Sequence, residues 1–182
     1  LKVGSIEISL RELVKGFLNN VNEGNIKIIR DIRVPRVLSA VLIGCNLSIA
    51  GVLLQAVIGN PLADPYITGI SSGASLVTVM IMIFIPSLNM VRPIMGFVGG
   101  AVSCAVVYTF AFKRELSPIR IVLVGSAVNA LLGGITSLMT TSVGIGGSSI
   151  QRWLTGSLAT IKSNDLNILF FYSFIGILVA LF

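Results

Sequence analysis

VLSAVLIGCNLSIAGVLLQAV, residues 37–57, carries no charged side chain, and GNPLADPYITGISSG, residues 59–73, stops it with two prolines, an asparagine, an aspartate and three glycines. The first stretch matches the ~20 apolar residues a helix needs to cross a bilayer. Four further runs share its character: residues 67–86, 93–112, 119–142 and 166–182. Only 6 to 23 residues separate neighbouring runs, too few polar positions to cover a water-soluble core built from five of them. Of the 182 residues, 54% are hydrophobic and 11% charged. Soluble domains are about 25% charged. The composition predicts an all-α, polytopic transmembrane helical bundle.

The interruption has its own grammar. Gly59 follows an unbroken helical pattern and suits the position just past a helix, where a left-handed residue closes the last turn. Asn60-Pro61 reads as a cap followed by proline at the first helical position, and Asp64-Pro65 repeats the signal four residues later. The expectation is two successive helix restarts, a stiff, shaped turn at one membrane edge. A purely structural turn satisfies the same pattern.

Residues 1–36 are polar and amphipathic, ahead of a transmembrane region at 37–182. Ser9-Leu10-Arg11-Glu12 fits a capping box, and Leu10, Leu13, Val14, Phe17 and Leu18 recur at helical spacing, as in a helix lying on a membrane surface or on a neighbouring part of the protein. Arg30, Arg33 and Arg36 then stand three apart around Pro35, which suits the first turn of a helix. Such arginines anchor a helix end to phosphate headgroups, or their guanidinium forks receive the carboxylates of a partner.

Small and polar residues share faces within the runs. Gly44, Ser48, Gly51 and Gln55 do so in the first, Gly69 and Gly73 in the second, and Gly96 and Gly100 in the third, a spacing that lets helices approach closely in lipid. The fourth run carries a broader stripe of Gly125, Asn129, Gly133, Thr136 and Thr140. Polar groups at that depth face a cavity or pathway, although a single interhelical bond from Asn129 also fits. A turn at Gly144–Gly147 leads into an amphipathic interfacial helix expected at 149–162, with Trp153 at the membrane boundary.

Several chemistries lack their parts. There is no histidine, and Cys45 and Cys104 lie inside apolar runs, so no metal site, cofactor site or catalytic set is expected. The net charge of +6 is scattered through loops with no aromatic interleaving, which argues against nucleic acid and for lipid headgroups or an acidic protein partner. A secondary transporter or channel would show buried ionisable groups or a charged ring within its spans. The chain begins at Leu1 and ends at Phe182 inside an apolar run, the pattern of a fragment, and opens with no signal-peptide pattern. Ten Lys and Arg fall on the side of the N-terminal segment against three on the other, but seven of the ten lie in that one segment, so charge bias hardly orients the chain.

Four motifs together, IRVPRVLSAVLIG, SIAGVLLQAVIGNPLADPYITGISSGAS, IRIVLVGSAVNALLGGITSL and QRWLTGSLA, resemble the permease subunits of type II ABC importers for iron-siderophores, haem and cobalamin, the FecCD type. The resemblance covers essentially the whole chain and corresponds to about helices two to six of such a permease. It implies a multi-pass protein of the inner (cytoplasmic) membrane that is not itself an enzyme. The partners it implies are a second permease subunit, separate ABC ATPase subunits and a periplasmic or lipoprotein substrate-binding protein. The cargo it implies is a metal chelate, by default an iron(III)-siderophore, with haem or cobalamin as the alternative and an ATP-independent transporter or channel further behind. It places the N-terminal segment outside and NPLADP inside. By the same resemblance, Arg33 and Arg36 dock glutamates of the binding protein, Asn60, Pro61 and Leu62 belong to a cytoplasmic gate, and Gly125, Asn129, Gly133 and Thr136 line the translocation path.

Overall fold

The computed structural model describes residues 27–61, 63–66, 68–88, 91–113, 115–159 and 161–181. The amphipathic segment read around residues 9–18 and the gate residue Leu62 lie outside the described residues. The chain divides into two compact units, residues 1–49 with 157–182 and residues 50–156.

Helix α1, Val34–Ile58, continues a π-helical turn at Ile29–Arg33, so the helical run starts earlier than Pro35 suggests. The wide turn sits just ahead of Pro35, whose missing N–H would break a regular ladder. Together Ile29–Ile58 span 30 residues. At 1.5 Å per residue this is about 45 Å, longer than the ~30 Å hydrocarbon core, so the arginine-bearing end has length to reach the headgroups.

In the first unit α1 is tied to α6, Ser163–Ala180, at two levels. Asn46 Nδ2 donates to the buried Ser173 Oγ at 2.6 Å, and Arg36 donates to the carbonyls of Leu158 and Ala159, just ahead of α6. The two ties are about equally far apart along each chain, which means the helices run in the same direction. The lower tie also puts residues 36 and 158 at one end of this unit, so an even number of membrane crossings separates them.

The second unit is built on glycines. Helices α2, Ile70–Phe84, and α3, Arg92–Ala111, form its most intimate pair. A Cβ on Gly99 would lie 2.6 Å from both the Gly73 carbonyl oxygen and Val77 Cγ2, and one on Gly73 would strike Ser103 Cβ. Only glycine permits backbones that close. Helix α4, Pro118–Ser142, packs on both, reached through a two-residue hairpin in which β1 (Phe112–Lys113) pairs antiparallel with β2 (Glu115–Leu116). A 3₁₀ turn at Gly144–Gly146 folds α5, Gly147–Leu154, back against α4, with Gly147 meeting the Thr140 carbonyl.

Four helices are long and apolar enough to cross a membrane: Ile29–Ile58, Arg92–Ala111, Pro118–Ser142 and Ser163–Ala180. The all-α transmembrane fold read from composition holds. The run at 67–86 differs, because its helix has only 15 residues. Gly69, at φ 76°, delays the start to Ile70, and Ile85 leaves helical geometry just before Pro86. Fifteen residues rise about 22 Å, short of the bilayer core. Yet parity requires α2 to cross as well, since α1, α3 and α4 alone would leave residues 36 and 158 on opposite faces. The missing length falls on the turn before it, where Ala63, Thr68 and Gly69 are buried against protein; irregular backbone is tolerated at membrane depth under that condition. The helix expected at 149–162 is also shorter, ending at Leu154 before Gly156 turns left-handed at φ 71°.

Many hydroxyls in the spans satisfy themselves. Ser48, Thr78, Thr109, Ser126, Thr136, Thr141 and Ser142 each donate to a carbonyl four residues back, at 2.6 to 2.9 Å.

Candidate functional site

The turn between α1 and α2 is held differently from the two helix restarts that its prolines suggest. Gly59 does close α1 in the left-handed region, at φ 66°, and Asn60 N–H donates to the Gln55 carbonyl at 3.3 Å, the six-to-one bond of a Schellman closure. Neither proline then starts a helix. Ala63 N–H returns to the Asn60 carbonyl at 3.1 Å, making a tight turn around Pro61, and Asp64 Oδ1 accepts from Tyr66 N–H at 2.7 Å. Asparagine and aspartate compete for local backbone donors in this way, and here the turns win over the helix caps. Thr68 Oγ1 closes the second turn on the Pro65 carbonyl at 2.7 Å.

The far end of the turn is anchored. The Gly69 carbonyl accepts from Gly73 N–H at 3.1 Å and from the hydroxyls of Ser72 and Ser103, each at 2.8 Å, which joins the start of α2 to α3. A Cβ at Gly69 would lie 3.2 Å from the Gly125 carbonyl and 3.3 Å from Val128 Cγ1 of α4. Gly125 therefore serves this packing and is buried.

The rest of the α4 stripe faces a cavity. A space of about 280 Å³ lies between α2 and α4, lined on the α4 side by Asn129, Gly133, Thr136 and Ser137. Ser71, Ser72 and Ser75 face it from α2, Gln151 and Leu154 from α5, and Tyr66 from the turn. Eight of these ten residues bear a hydroxyl or carboxamide, and none is charged. Ser72 and Thr136 already donate to their own helices. The carboxamides of Asn129 and Gln151 have no protein partner among the described residues, so they keep their full capacity for a guest. Of the residues read as lining a path, three meet here and Gly125 does not.

The α2 serines and Gln151 were not singled out in the sequence. Their signal is the spacing of Ser71 and Ser75, one helical turn apart in ISSGAS, where the glycines were read for packing alone. In the arginine motif, Arg36 is half-buried and engaged with backbone carbonyls, Nε to Leu158 at 3.2 Å and Nη2 to Ala159 at 2.8 Å. Arg33 lies in the π turn, three residues before.

These features can be set beside known proteins. The model of the FecCD transport family matches residues 1–182. The permeases named "Probable heme-iron transport system permease protein IsdF" of Staphylococcus aureus strains MSSA476 and NCTC 8325 are each 36% identical over 137 residues, 75% of this chain and 42% of theirs. A solved structure of an ABC transporter assigned to the metal-chelate type, in an inward-facing conformation, superposes with a TM-score of 0.75 at 25% identity, covering 96% of this chain and 54% of that one. The chain thus spans about two fifths of the length of the curated relatives it matches. With the family model matching from end to end, and a helical membrane fold shared with the solved transporter, the chain belongs to the FecCD transport family.

Proposed function

We propose that the chain forms part of the membrane pathway of a type II ABC importer for a metal chelate, an iron(III)-siderophore. The observation that carries this reading is the uncharged cavity between α2 and α4, walled by hydroxyls and carboxamides. Neutral hydrogen-bonding groups can touch an oxygen-rich chelate at many points, while the absence of any carboxylate, imidazole or thiol from the wall leaves the iron to its own ligands. A wall that competed for the metal would hold the cargo in place.

In this reading Asn129, Gly133 and Thr136 face the passing chelate, and Gly125 sets how closely α4 lies to the turn. Asn60, Pro61 and Leu62 belong to a cytoplasmic gate, and Arg33 and Arg36 lie on the outer face where a substrate-binding protein delivers the cargo. Separate ATPase subunits supply the energy, a second permease subunit completes the path, and cargo moves by alternating access, each partner favouring one of two helix arrangements. The similarity to IsdF favours a second cargo, haem.

Replacing Asn129 with Trp in the assembled transporter should slow uptake of the ferric chelate at least tenfold while the folded protein persists in the membrane; full uptake by the variant would reassign the stripe to packing. Competition between haem and a ferric siderophore for ATP-driven uptake then separates the two cargoes. With Cys45 and Cys104 replaced by alanine, a cysteine at position 60 should react with impermeant maleimide from the cytoplasmic side only, and reaction from outside alone would invert the orientation.

A further inference from the structure

We infer that Arg36 is a positioning residue that shapes the outer docking surface by holding the strap Ser157–Ala159, and is not itself the cation that a binding protein meets. The inference rests on the outer-face docking reading given above. A guanidinium recognises a carboxylate by presenting two parallel N–H groups to two oxygens. On Arg36 one such fork is already filled, with Nε donating to the Leu158 carbonyl at 3.2 Å and Nη2 to the Ala159 carbonyl at 2.8 Å. Two consecutive peptide oxygens stand where a partner's carboxylate would bind.

The strap needs that tie. It has no regular secondary structure, and its other hydrogen bonds are local: Ala159 N–H to Ser157 Oγ at 3.2 Å and Ile161 N–H to the Leu158 carbonyl at 3.4 Å. It follows Gly156, left-handed at φ 71°, and leads to Lys162, whose N–H is held by Asp165 Oδ2 at 3.0 Å at the start of α6. Both ends are thus fixed by backbone devices, and Arg36 fixes the middle across 122 residues of sequence. The bonds are charge-assisted and half-buried, the class that loses least to solvent. Lysine cannot replace this geometry, because an ammonium offers a point charge without a planar fork.

The test compares Arg36→Lys and Arg36→Gln in the assembled transporter in lipid. Hydrogen exchange of residues 157–162, measured without binding protein, should quicken roughly tenfold in both variants, the loss of about one charge-assisted bond, while exchange of Arg92–Ala111 stays as it was. Binding-protein affinity should fall about equally in both, with its dependence on salt unchanged, because no docking charge has been removed. Restored affinity in Arg36→Lys, or a flatter salt dependence in Arg36→Gln, would show direct docking and overturn the inference. So would unchanged strap exchange in Arg36→Gln, whatever binds outside. Quickened exchange with affinity untouched in both variants would instead overturn the docking reading of this face, and the surface-shaping role with it.

Discussion

Helices α1 and α3 carry the same small-residue spacing and meet opposite fates. On α3, Gly96, Gly99, Gly100 and Ser103 are buried, and a third of its most apolar window lies inside the molecule. On α1, a Cβ at Gly44 or Gly51 would meet nothing within 4 Å, and 6% of the corresponding window is buried. A small face permits close approach, but it does not supply the helix that approaches. What α3 has and α1 lacks is a matching small face opposite it, at Gly73, and a hydroxyl, Ser103, that reaches the neighbouring backbone.

The contrast breaks most visibly at the tight pair. Gly73→Ala or Gly99→Ala forces a methyl into backbone with no room to yield, and should cost about 1–3 kcal/mol, seen as a lowered unfolding temperature of the detergent-purified transporter. Wild-type stability in both would mean that α2 and α3 are not that close. Gly69→Ala combines a left-handed φ with a 3.2 Å approach to the Gly125 carbonyl, and about 1–2 kcal/mol is expected from the backbone alone. Asn46→Ala removes a tie between α1 and α6 and strands the buried Ser173 hydroxyl, a loss of about 0.6 kcal/mol by the same melting measurement. Gly44→Ala and Gly51→Ala should change stability by less than about 0.5 kcal/mol. A larger loss at these two positions would mean that another surface covers α1 in the assembled transporter.

The spans were legible because charge-free length is a long-range property of the sequence that local competition hardly alters. Four of the five runs became helices within a few residues of where hydropathy put them. The turn was legible only in part. Gly59 closed α1 as its position implies, since a left-handed closure depends on one residue and the helix before it. Asn60-Pro61 and Asp64-Pro65 were misread because the same residues that cap helices also make turns, and Gly69, anchored on α3 and α4, decided between them. That decision depends on Ser103 and Gly125, which are remote in sequence. The cavity was half legible: the α4 stripe announced itself through Asn129, but its opposite wall, Ser71 and Ser75, was masked by the glycines beside it. The strap on Arg36 was hidden, because a bond spanning 122 residues leaves no local pattern.

The hydroxyls that bond back to their own helices have a consequence for a wall that is wet in one state of a carrier and dry in another. A free hydroxyl would prefer water and resist drying, whereas a methyl would prefer oil and resist wetting. Thr136, its proton already given to the Leu132 carbonyl, does neither strongly. Such a side chain changes surroundings at little cost, so helix α4 can be rinsed and dried in turn without either condition holding it.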